Sequence, residues 1–254
     1  MQIIRDLQCL RKARASLDGT VAIVTTMGAL HAGHMKLVEA AKAQADHVVV
    51  SIFVNPTQFA AGEDLSRYPR RVAEDAAMLA EAGVAILWTP DVTTMYPDGF
   101  ATTISVAGVS EGLCGASRPG HFNGVATVVN KLFGQVRPDI ALFGEKDWQQ
   151  LQVVRRMTVD LDLGIDIIGV PTEREADGLA MSSRNAYVSV ADRTAAVALP
   201  TALIAAATAL AEGADEATTL DQARAAITSA GFTIDYVARR DDRIWLRRGS
   251  DRLA

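Results

Sequence analysis

The stretch VAIVTTMGALHAGHMKLVEAAKAQA, residues 21–45, contains in succession a buried strand, a glycine-containing turn and an amphipathic helix. Residues 21–28 are an apolar run of strand length, and residues 34–45 have apolar side chains at helical spacing. Residues 47–54, HVVVSIFV, have the β-branched density of a strand that is covered on both faces. This order predicts a strand–helix–strand unit of a parallel sheet.

The same alternation of strands and helices continues through the first two-thirds of the chain. A helix is expected over residues 70–83, ending at Gly83, and the Gly-, Pro- and Ser-rich segment 96–122 is expected to be mainly loop. Strands are expected at residues 85–90, 102–106, 139–144 and 165–171, and helices at residues 123–136 and 147–161. This pattern predicts an α/β fold with a doubly wound, parallel, Rossmann-like sheet.

The composition of the chain changes after Pro171. A polar segment leads into an Ala-rich helical stretch, residues 191–211, which Pro200 should kink or divide. A helix at residues 219–231 and a strand at residues 233–239 follow. We therefore expect a Rossmann-like domain over residues 1–170 and a smaller α+β C-terminal domain over residues 171–254.

The bulk composition excludes several classes of function. The chain has 254 residues and a net charge of −5, without the basic patch of a nucleic-acid-binding protein or of a polybasic membrane anchor. Its two cysteines, Cys9 and Cys114, form neither a disulfide framework nor a metal-binding pattern. We find no signal peptide and no apolar run that is long enough to span a bilayer, so we expect a reduced, cytoplasmic setting.

The turn TMGALHAGH lies between the first predicted strand and its helix, where open α/β sheets bind ligands. Gly28 and Gly33 allow close approach of the backbone, and the helix start offers N–H groups to an anion. His31 and His34 can donate to phosphate oxygens, and a cationic imidazole would stabilise charge developing at phosphorus. The turn matches neither a P-loop nor GxGxxG. Helix capping, surface exposure and metal binding are the alternatives for these two histidines.

A second polar group follows the strand at residues 139–144. In GEKDWQQ, Lys146 suits phosphate, Asp147 can accept hydrogen bonds from ribose hydroxyls, and Gln150 is a neutral donor and acceptor. The alternative is an exposed helix start with Asp147 as its cap.

Two further segments carry polar groups at comparable positions. In VNPTQF, Asn55 and Gln58 can orient a hydroxylated substrate or simply satisfy a Pro-containing turn. MSSRN, residues 181–185, has hydroxyls and a guanidinium that can close on phosphate oxygens, or it can contain an ordinary Ser helix cap. Together the four segments indicate a nucleotide-using transferase or ligase that acts at an α- or β-phosphate.

Five motifs in this order and spacing resemble the pantoate–β-alanine ligase family: TMGALHAGH, VNPTQF, RPGHFNGVATVVNKLF, FGEKDWQQ and DGLAMSSRN. HAGH is similar to the HIGH signature of adenylate-forming nucleotidyltransferases, and MSSR to their KMSKS-type loop. The resemblance implies that ATP activates (R)-pantoate as pantoyl adenylate with release of pyrophosphate. β-Alanine then displaces AMP to give pantothenate.

The resemblance also implies roles for individual residues. The implied ATP site contains Met27, Gly28, Ala29, Leu30, His31, Ala32, Gly33, His34, Gly144, Glu145, Lys146, Asp147, Met181, Ser182, Ser183 and Arg184. His34 is the implied proton donor, His31 its partner on the phosphates, and Lys146 the catalytic cation. Gln58 and Gln150, with Asn55, form the implied pantoate and β-alanine site.

The resemblance further implies Mg²⁺ bound through the ATP rather than in a protein cage, and a homodimer formed by the nucleotide-binding domain. Glu74 and Asp75 would lie on a helix near the site, or simply on a solvated helix face. Two neutral glutamines suit a carboxylate that must remain nucleophilic. Gln58→Glu should therefore abolish pantoate binding by placing like charges together.

Three positions depart from the family pattern. Thr25 replaces a proline, and Cys114 replaces a glutamate that could affect loop closure or the β-alanine step. RIWLRRGSDRLA, residues 243–254, does not resemble the usual ending, so we expect the final apolar strand to be missing. The C-terminal lid domain would then be shortened and leave an unpaired strand edge.

Three other functions remain open on the residues alone. A nucleotidylyltransferase shares the HxGH turn but leaves Gln58, Gln150 and GEKDWQQ unexplained. A nucleotide-binding protein with little catalysis is compatible with the altered tail and Cys114. A metal-binding module is the weakest alternative, since His47 and His121 have no ligand-like spacing to the histidine pair.

Overall fold

The computed structural model describes residues 1–60, 62–240 and 243–248. The strands are β1 Gln2–Ile4, β2 Val21–Thr26, β3 His47–Ile52, β4 Ile86–Trp88, β5 Ile140–Gly144, β6 Asp166–Val170, β7 Ile234–Arg240 and β8 Arg243–Arg248. The helices are α1 Leu7–Ala15, α2 Ala32–Lys42, α3 Val72–Glu81, α4 Val92–Met95, α5 Leu113–Ser117, α6 His121–Val136, α7 Trp148–Asp160, α8 Val190–Ala196, α9 Ala198–Ala211 and α10 Glu216–Ser229.

The chain forms two compact units. Unit 1 consists of Met1–Glu111 and Arg118–Glu173. Unit 2 consists of Gly112–Ser117 and the described residues from Arg174 onward. The short helix α5 therefore belongs to the second unit, although its neighbours in sequence belong to the first.

Unit 1 contains a six-stranded parallel sheet in the order β1-β4-β3-β2-β5-β6. The order changes direction at β2, which has β3 and β4 on one side and β5 and β6 on the other. The predicted α/β class and parallel sheet are confirmed. A change of direction of this kind leaves a crevice beyond the carboxyl ends of the central strands, where ligands bind in open α/β sheets.

The central strands form because their apolar residues are covered on both faces. Val24 of β2 pairs in register with Val50 of β3 and with Leu142 of β5, and all three are almost fully buried. Leu37, Val38 and Ala41 of α2 belong to the same core cluster. This packing fixes the direction in which α2 leaves β2, and therefore the position of the turn between them.

The predicted strand at residues 102–106 is wrong. These residues form no strand, and the Ile104 N–H donates instead to Thr127 Oγ1 of α6 at 3.0 Å. A side chain thus supplies the acceptor that a neighbouring strand would have offered. The short strand β1 and helix α1 at the N-terminus were not predicted; β1 pairs with only three residues of β4.

Unit 2 has its own core around helices α9 and α10 and the antiparallel strands β7 and β8. The expectation that the final strand is missing is wrong, because Arg243–Arg248 forms β8 and pairs with β7, with Leu246 opposite Val237. Residues 249–254 lie outside the described residues.

The Ala-rich segment is divided as expected, three residues before the proline, where a proline disrupts the hydrogen bonds of a helix. The helix is interrupted at Val197, and Pro200 is the third residue of α9. A proline is tolerated in the first turn of a helix because the N–H groups there have no intrahelical acceptor.

The stretch Val190–Ala211 is long and apolar enough to cross a membrane by length and composition alone, contrary to the expectation from the sequence. The stretch is interrupted at Val197, and Ala196, Ala202 and Ala206 pack in the core of unit 2. A single helix that meets these criteria of length and composition is weak evidence for a membrane span.

Candidate active site

The turn between β2 and α2 has a left-handed backbone at two consecutive residues, Gly28 with φ 86° and Ala29 with φ 51°. A Cβ atom at Gly28 would lie 3.1 Å from Ile52 Cγ2 and 3.2 Å from Asp75 Oδ2. Both the positive φ and the close neighbours therefore favour glycine at this position.

Asp75 of α3 holds this turn. Its side chain is buried, and its carboxylate accepts the N–H of Ala29 at 2.9 Å and that of Leu30 at 2.8 Å. The alternative of a solvated helix face is therefore wrong for Asp75. Glu74, the preceding residue, is exposed and lies 3.8 Å from Arg71, so the solvated description fits it.

His31 and His34 lie together at the start of α2, with their ring centroids 4.1 Å apart. His31 is the N-cap residue, and its Nδ1 accepts the N–H of Gly33 at 3.2 Å. His34 Nδ1 accepts the N–H of His31 at 3.3 Å, which completes a capping box. Because a backbone N–H can only donate, Nδ1 of each ring is an acceptor, and the ring N–H is at Nε2.

His34 is neutral at pH 7. Burial, followed by the neighbouring His31 and Lys146, lowers its pKa from 6.5 to about 3, while Asp147 opposes the shift. For this residue, the cationic imidazole expected from the sequence is thus replaced by a neutral ring. A neutral ring with its proton on Nε2 can donate a hydrogen bond to a phosphate oxygen, and a bound anion would raise its pKa.

Lys146 and Asp147 form a short 3-10 turn directly after β5. Lys146 Nζ lies 3.1 Å from Asp147 Oδ2, and both side chains are largely exposed. Asp147 is the N-cap residue of α7, but its side chain makes no capping hydrogen bond. The charges of Lys146 and Asp147 both affect the pKa of His34. The polar residues after β2 and after β5 therefore lie near one another, as the sequence predicts. Gly144 and Glu145 lie at the same strand end.

Asn55 follows β3, and both polar atoms of its side-chain amide form hydrogen bonds within the protein. It is buried, and its Nδ2 donates to Gln58 Oε1 at 2.8 Å and to the Gly124 carbonyl at 3.2 Å. Its Oδ1 accepts from Tyr96 Oη at 2.8 Å and from the Thr57 hydroxyl at 3.0 Å. The Pro-containing turn is thus satisfied by Asn55, which also orients the amide of Gln58.

Sequence reasoning missed three side chains around Gln58: Arg118, His121 and Glu63. Arg118 and His121 both bind the main-chain carbonyl of Gln58, and Arg118 pairs with Glu63 at 2.6 Å. Two of the three lie in the RPGHF segment, which carries part of the family resemblance. No spacing in the sequence connects residue 58 with residue 121, so no local pattern predicts their contact.

The two adjacent glutamines of α7 have different environments. Gln149 is buried and donates to the carbonyls of Val109 and Glu111, both at 3.2 Å. Gln150 is half-buried. Gln149 therefore ties α7 to the loop at residues 109–111, while Gln150 remains the candidate for ligand binding.

Met181, Ser182, Ser183 and Arg184 belong to unit 2 and are half-buried. Ser182 caps a 3-10 turn, Ser183–Tyr187, by accepting the Arg184 N–H at 3.2 Å. Glu175 accepts from Asn185 at 2.7 Å and from Arg193 at 2.8 Å, so the segment is anchored within its own unit. The Ser-cap alternative is therefore present, and it does not exclude ligand binding.

Cys114, which departs from the family pattern, also lies in unit 2. Its sulfur is 3.0 Å from the hydroxyl of Tyr236 on β7. The thiol thus joins α5 to the small sheet. Within the part of the chain that the structure describes, no group of three or more His, Cys, Asp or Glu side chains is arranged to hold a metal ion.

The parallel sheet, with histidines and a lysine beyond its central strands, defines an α/β protein with a candidate ligand site at the carboxyl edge. The model of the pantoate–β-alanine ligase family matches residues 2–249, so the chain belongs to this family of enzymes.

Comparisons with individual proteins agree with this assignment. The chain is 62% identical over 245 residues to pantothenate synthetase of Sphingopyxis alaskensis, covering 95% of this chain and 88% of the relative. It is similar to the crystal structure of pantothenate synthetase from Thermus thermophilus, with a TM-score of 0.88 and 48% identity, covering 94% and 86% of the two chains. It is also similar to a Francisella tularensis pantoate–β-alanine ligase complexed with β,γ-ATP and β-alanine, with a TM-score of 0.88 and 35% identity, covering 97% and 92%.

Proposed function

We propose that this enzyme condenses (R)-pantoate and β-alanine to pantothenate with consumption of ATP, through a pantoyl-adenylate intermediate. The observation that carries the proposal is the meeting of His31, His34 and Lys146 beyond the carboxyl ends of β2 and β5, in a chain of this family. The Francisella relative is complexed with β,γ-ATP and β-alanine, which supports ATP and β-alanine as substrates here.

In the first step, a carboxylate oxygen of pantoate attacks the α-phosphorus of ATP, and the bond from phosphorus to the pyrophosphate oxygen breaks. His31 and His34 donate from Nε2 to phosphate oxygens, and Lys146 neutralises charge that develops on them. Mg²⁺ enters as part of the Mg–ATP substrate and shields the triphosphate. Residues 27–34 and 144–147 surround the nucleotide, with Asp147 on the ribose.

In the second step, the uncharged amine of β-alanine attacks the activated carbonyl carbon. The amide bond forms, the bond to the AMP oxygen breaks, and the attacking nitrogen loses a proton. Gln58 and Gln150 bind pantoate throughout, because their neutral amides orient its oxygens without lowering the reactivity of the carboxylate. Asn55 contributes through Gln58, whose Oε1 it binds.

The remaining expectations belong to the same proposal. Met181, Ser182, Ser183 and Arg184 of unit 2 would act on the triphosphate as part of a lid domain, residues 171–254. We further propose a cytoplasmic homodimer on the coenzyme A pathway, in keeping with the biosynthetic function of the relatives.

The test is formation of AMP and pantothenate from ATP, pantoate and β-alanine, with single omission of each substrate. We expect product only when all three are present, and pantoate-dependent exchange of pyrophosphate into ATP without β-alanine. Exchange that does not require pantoate would favour a nucleotidylyltransferase, and ATP binding without exchange or turnover would favour a binding protein. Retained pantoate affinity in Gln58→Glu would refute the assignment of Gln58.

A further inference from the structure

Gln58 is held at both its main chain and its side chain. Its main-chain carbonyl accepts from Arg118 Nη2 at 3.1 Å and from His121 Nδ1 at 2.9 Å. Its side-chain Oε1 accepts from Asn55 Nδ2 at 2.8 Å. A surface glutamine needs none of these contacts, and together they restrict both the position of the residue and the orientation of its amide.

The contacts determine which nitrogen of His121 carries the proton. Arg118 Nη1 lies 2.9 Å from His121 Nε2, and a guanidinium can only donate, so Nε2 accepts. Nδ1 must then carry the proton, and it faces the Gln58 carbonyl, which can only accept. Arg118 therefore keeps His121 in the tautomer that binds Gln58.

Glu63 fixes Arg118 in turn. Its two carboxylate oxygens accept from Arg118 Nε at 2.8 Å and from Nη2 at 2.6 Å, a bidentate pair. The side chains are only 13% and 21% exposed, so solvent screens this pair less than an ordinary surface pair. The guanidinium plane is thereby set, with its other hydrogens directed to His121 and to Gln58.

We infer that Arg118 and His121 are positioning residues for pantoate recognition, acting through the main chain of Gln58; this inference rests on the proposed function. Because Asn55 occupies Gln58 Oε1, the amide presents its Nε2 hydrogens to a ligand. The ligand atom at Gln58 is then a hydrogen-bond acceptor, as a carboxylate or hydroxyl oxygen of pantoate is.

The test compares substitutions of His121 by steady-state kinetics with each substrate varied in turn. His121→Ala removes the donor to Gln58, and His121→Asn keeps one, because the Asn amide nitrogen lies near the position of Nδ1. We expect KM for pantoate to rise about tenfold in His121→Ala and to return to within about threefold in His121→Asn, as for loss and replacement of one buried hydrogen bond. KM for ATP should stay within about twofold in both.

Two further variants make the comparison specific. Arg118→Lys keeps the positive charge beside Glu63 but loses the planar guanidinium group that binds Glu63, His121 and Gln58 at once. It should raise KM for pantoate as His121→Ala does. Arg156→Met removes an arginine from an exposed ion pair with Asp160 on α7, and it should leave every KM unchanged. If His121→Ala does not fold, His121→Gln takes its place, since a Gln side chain reproduces Nε2 rather than Nδ1.

The outcomes separate this inference from the proposed function. A wild-type enzyme with turnover, whose His121 and Arg118 variants keep their KM for pantoate or lose ATP and pantoate affinity equally, overturns the positioning role alone. A wild-type protein with neither turnover nor pantoate binding by calorimetry overturns the proposed function and this inference with it.

Discussion

The His34 ring takes part in the capping box of α2 and also lies in the turn that we expect to bind phosphate. Its pKa of about 3 lies below the ordinary 6.5 of an unfolded chain, so between these values the unfolded state binds the additional proton. Stability from the neutral ring is therefore complete above about pH 6.5 and is lost as the pH falls toward 3.

This pKa predicts a specific pH dependence of stability. His34→Asn keeps an acceptor for the His31 N–H but does not titrate. Below pH 6.5 the wild type should lose stability faster than this variant, by up to about 1.4 kcal/mol per pH unit, the slope of one proton. Urea unfolding at pH 7, 6 and 5 measures the difference, and parallel pH profiles would show that folding does not lower the pKa of His34.

Asp75 offers a second test, because its two acceptor oxygens support a turn with two left-handed residues. Asp75→Asn turns an N–H₂ group toward one backbone N–H, which should cost about 1–3 kcal/mol of stability. KM for ATP should rise as well, since the turn is part of the proposed phosphate site. Glu74→Gln on the exposed side of α3 is the control. An Asp75→Asn enzyme with unchanged unfolding and unchanged KM for ATP would contradict this role.

Among the elements, α6 approaches the Pro56–Gln58 turn so closely that only glycine fits between them. A Cβ atom on Gly124 would clash with the Thr57 carbonyl oxygen and would lie 2.7 Å from its carbon. The Gly124 carbonyl also accepts from Asn55 Nδ2, which binds the side-chain amide of Gln58. The helix therefore positions Gln58 through its own backbone.

Two glycines of this helix form a matched pair. Gly124→Ala should displace the turn, lower stability by about 1–3 kcal/mol and raise KM for pantoate. Gly134 is exposed and has nothing within 4 Å of its Cβ position, so Gly134→Ala should be neutral or stabilising by up to about 1 kcal/mol. Thermal unfolding measures the stability of both variants, and steady-state kinetics measure their KM for pantoate. Equal behaviour of the two would mean that the turn adjusts to the added methyl group.

The parts of the structure that the sequence predicts are those set by local pattern. The run at β3 and the spacing of apolar residues in α2 are local, so the parallel sheet and the histidine turn were predicted correctly. The Arg118–Gln58 contact joins residues 60 positions apart in the sequence, and the Asp75–Ala29 contact joins residues 46 positions apart. Such pairings depend on packing that no single stretch of the sequence contains, so these residues were missed or left undecided.

The C-terminal strand β8 also depends on contacts with another segment, which its own sequence does not reveal. Arg243–Arg248 has three arginines in six residues, with Ile244, Trp245 and Leu246 between them. It becomes a strand because β7 offers a paired edge, with Asp235 binding Arg247 at 2.8 Å. Ile244 and Leu246 lie two residues apart on β8 and pack against the core of unit 2, so burial of these side chains stabilises the strand.

For the whole molecule, the two units have separate apolar cores, which predicts separable responses to core substitutions. Ile227 is fully buried in unit 2, and Leu79 is fully buried in unit 1. Truncation of either side chain to Ala should cost about 2–5 kcal/mol in its own core. Hydrogen exchange followed by mass spectrometry should show faster exchange across α9 and α10 in Ile227→Ala, with β2 and β3 unchanged, and the reverse pattern in Leu79→Ala. If either substitution accelerates exchange equally in both units, the protein opens as one cooperative body.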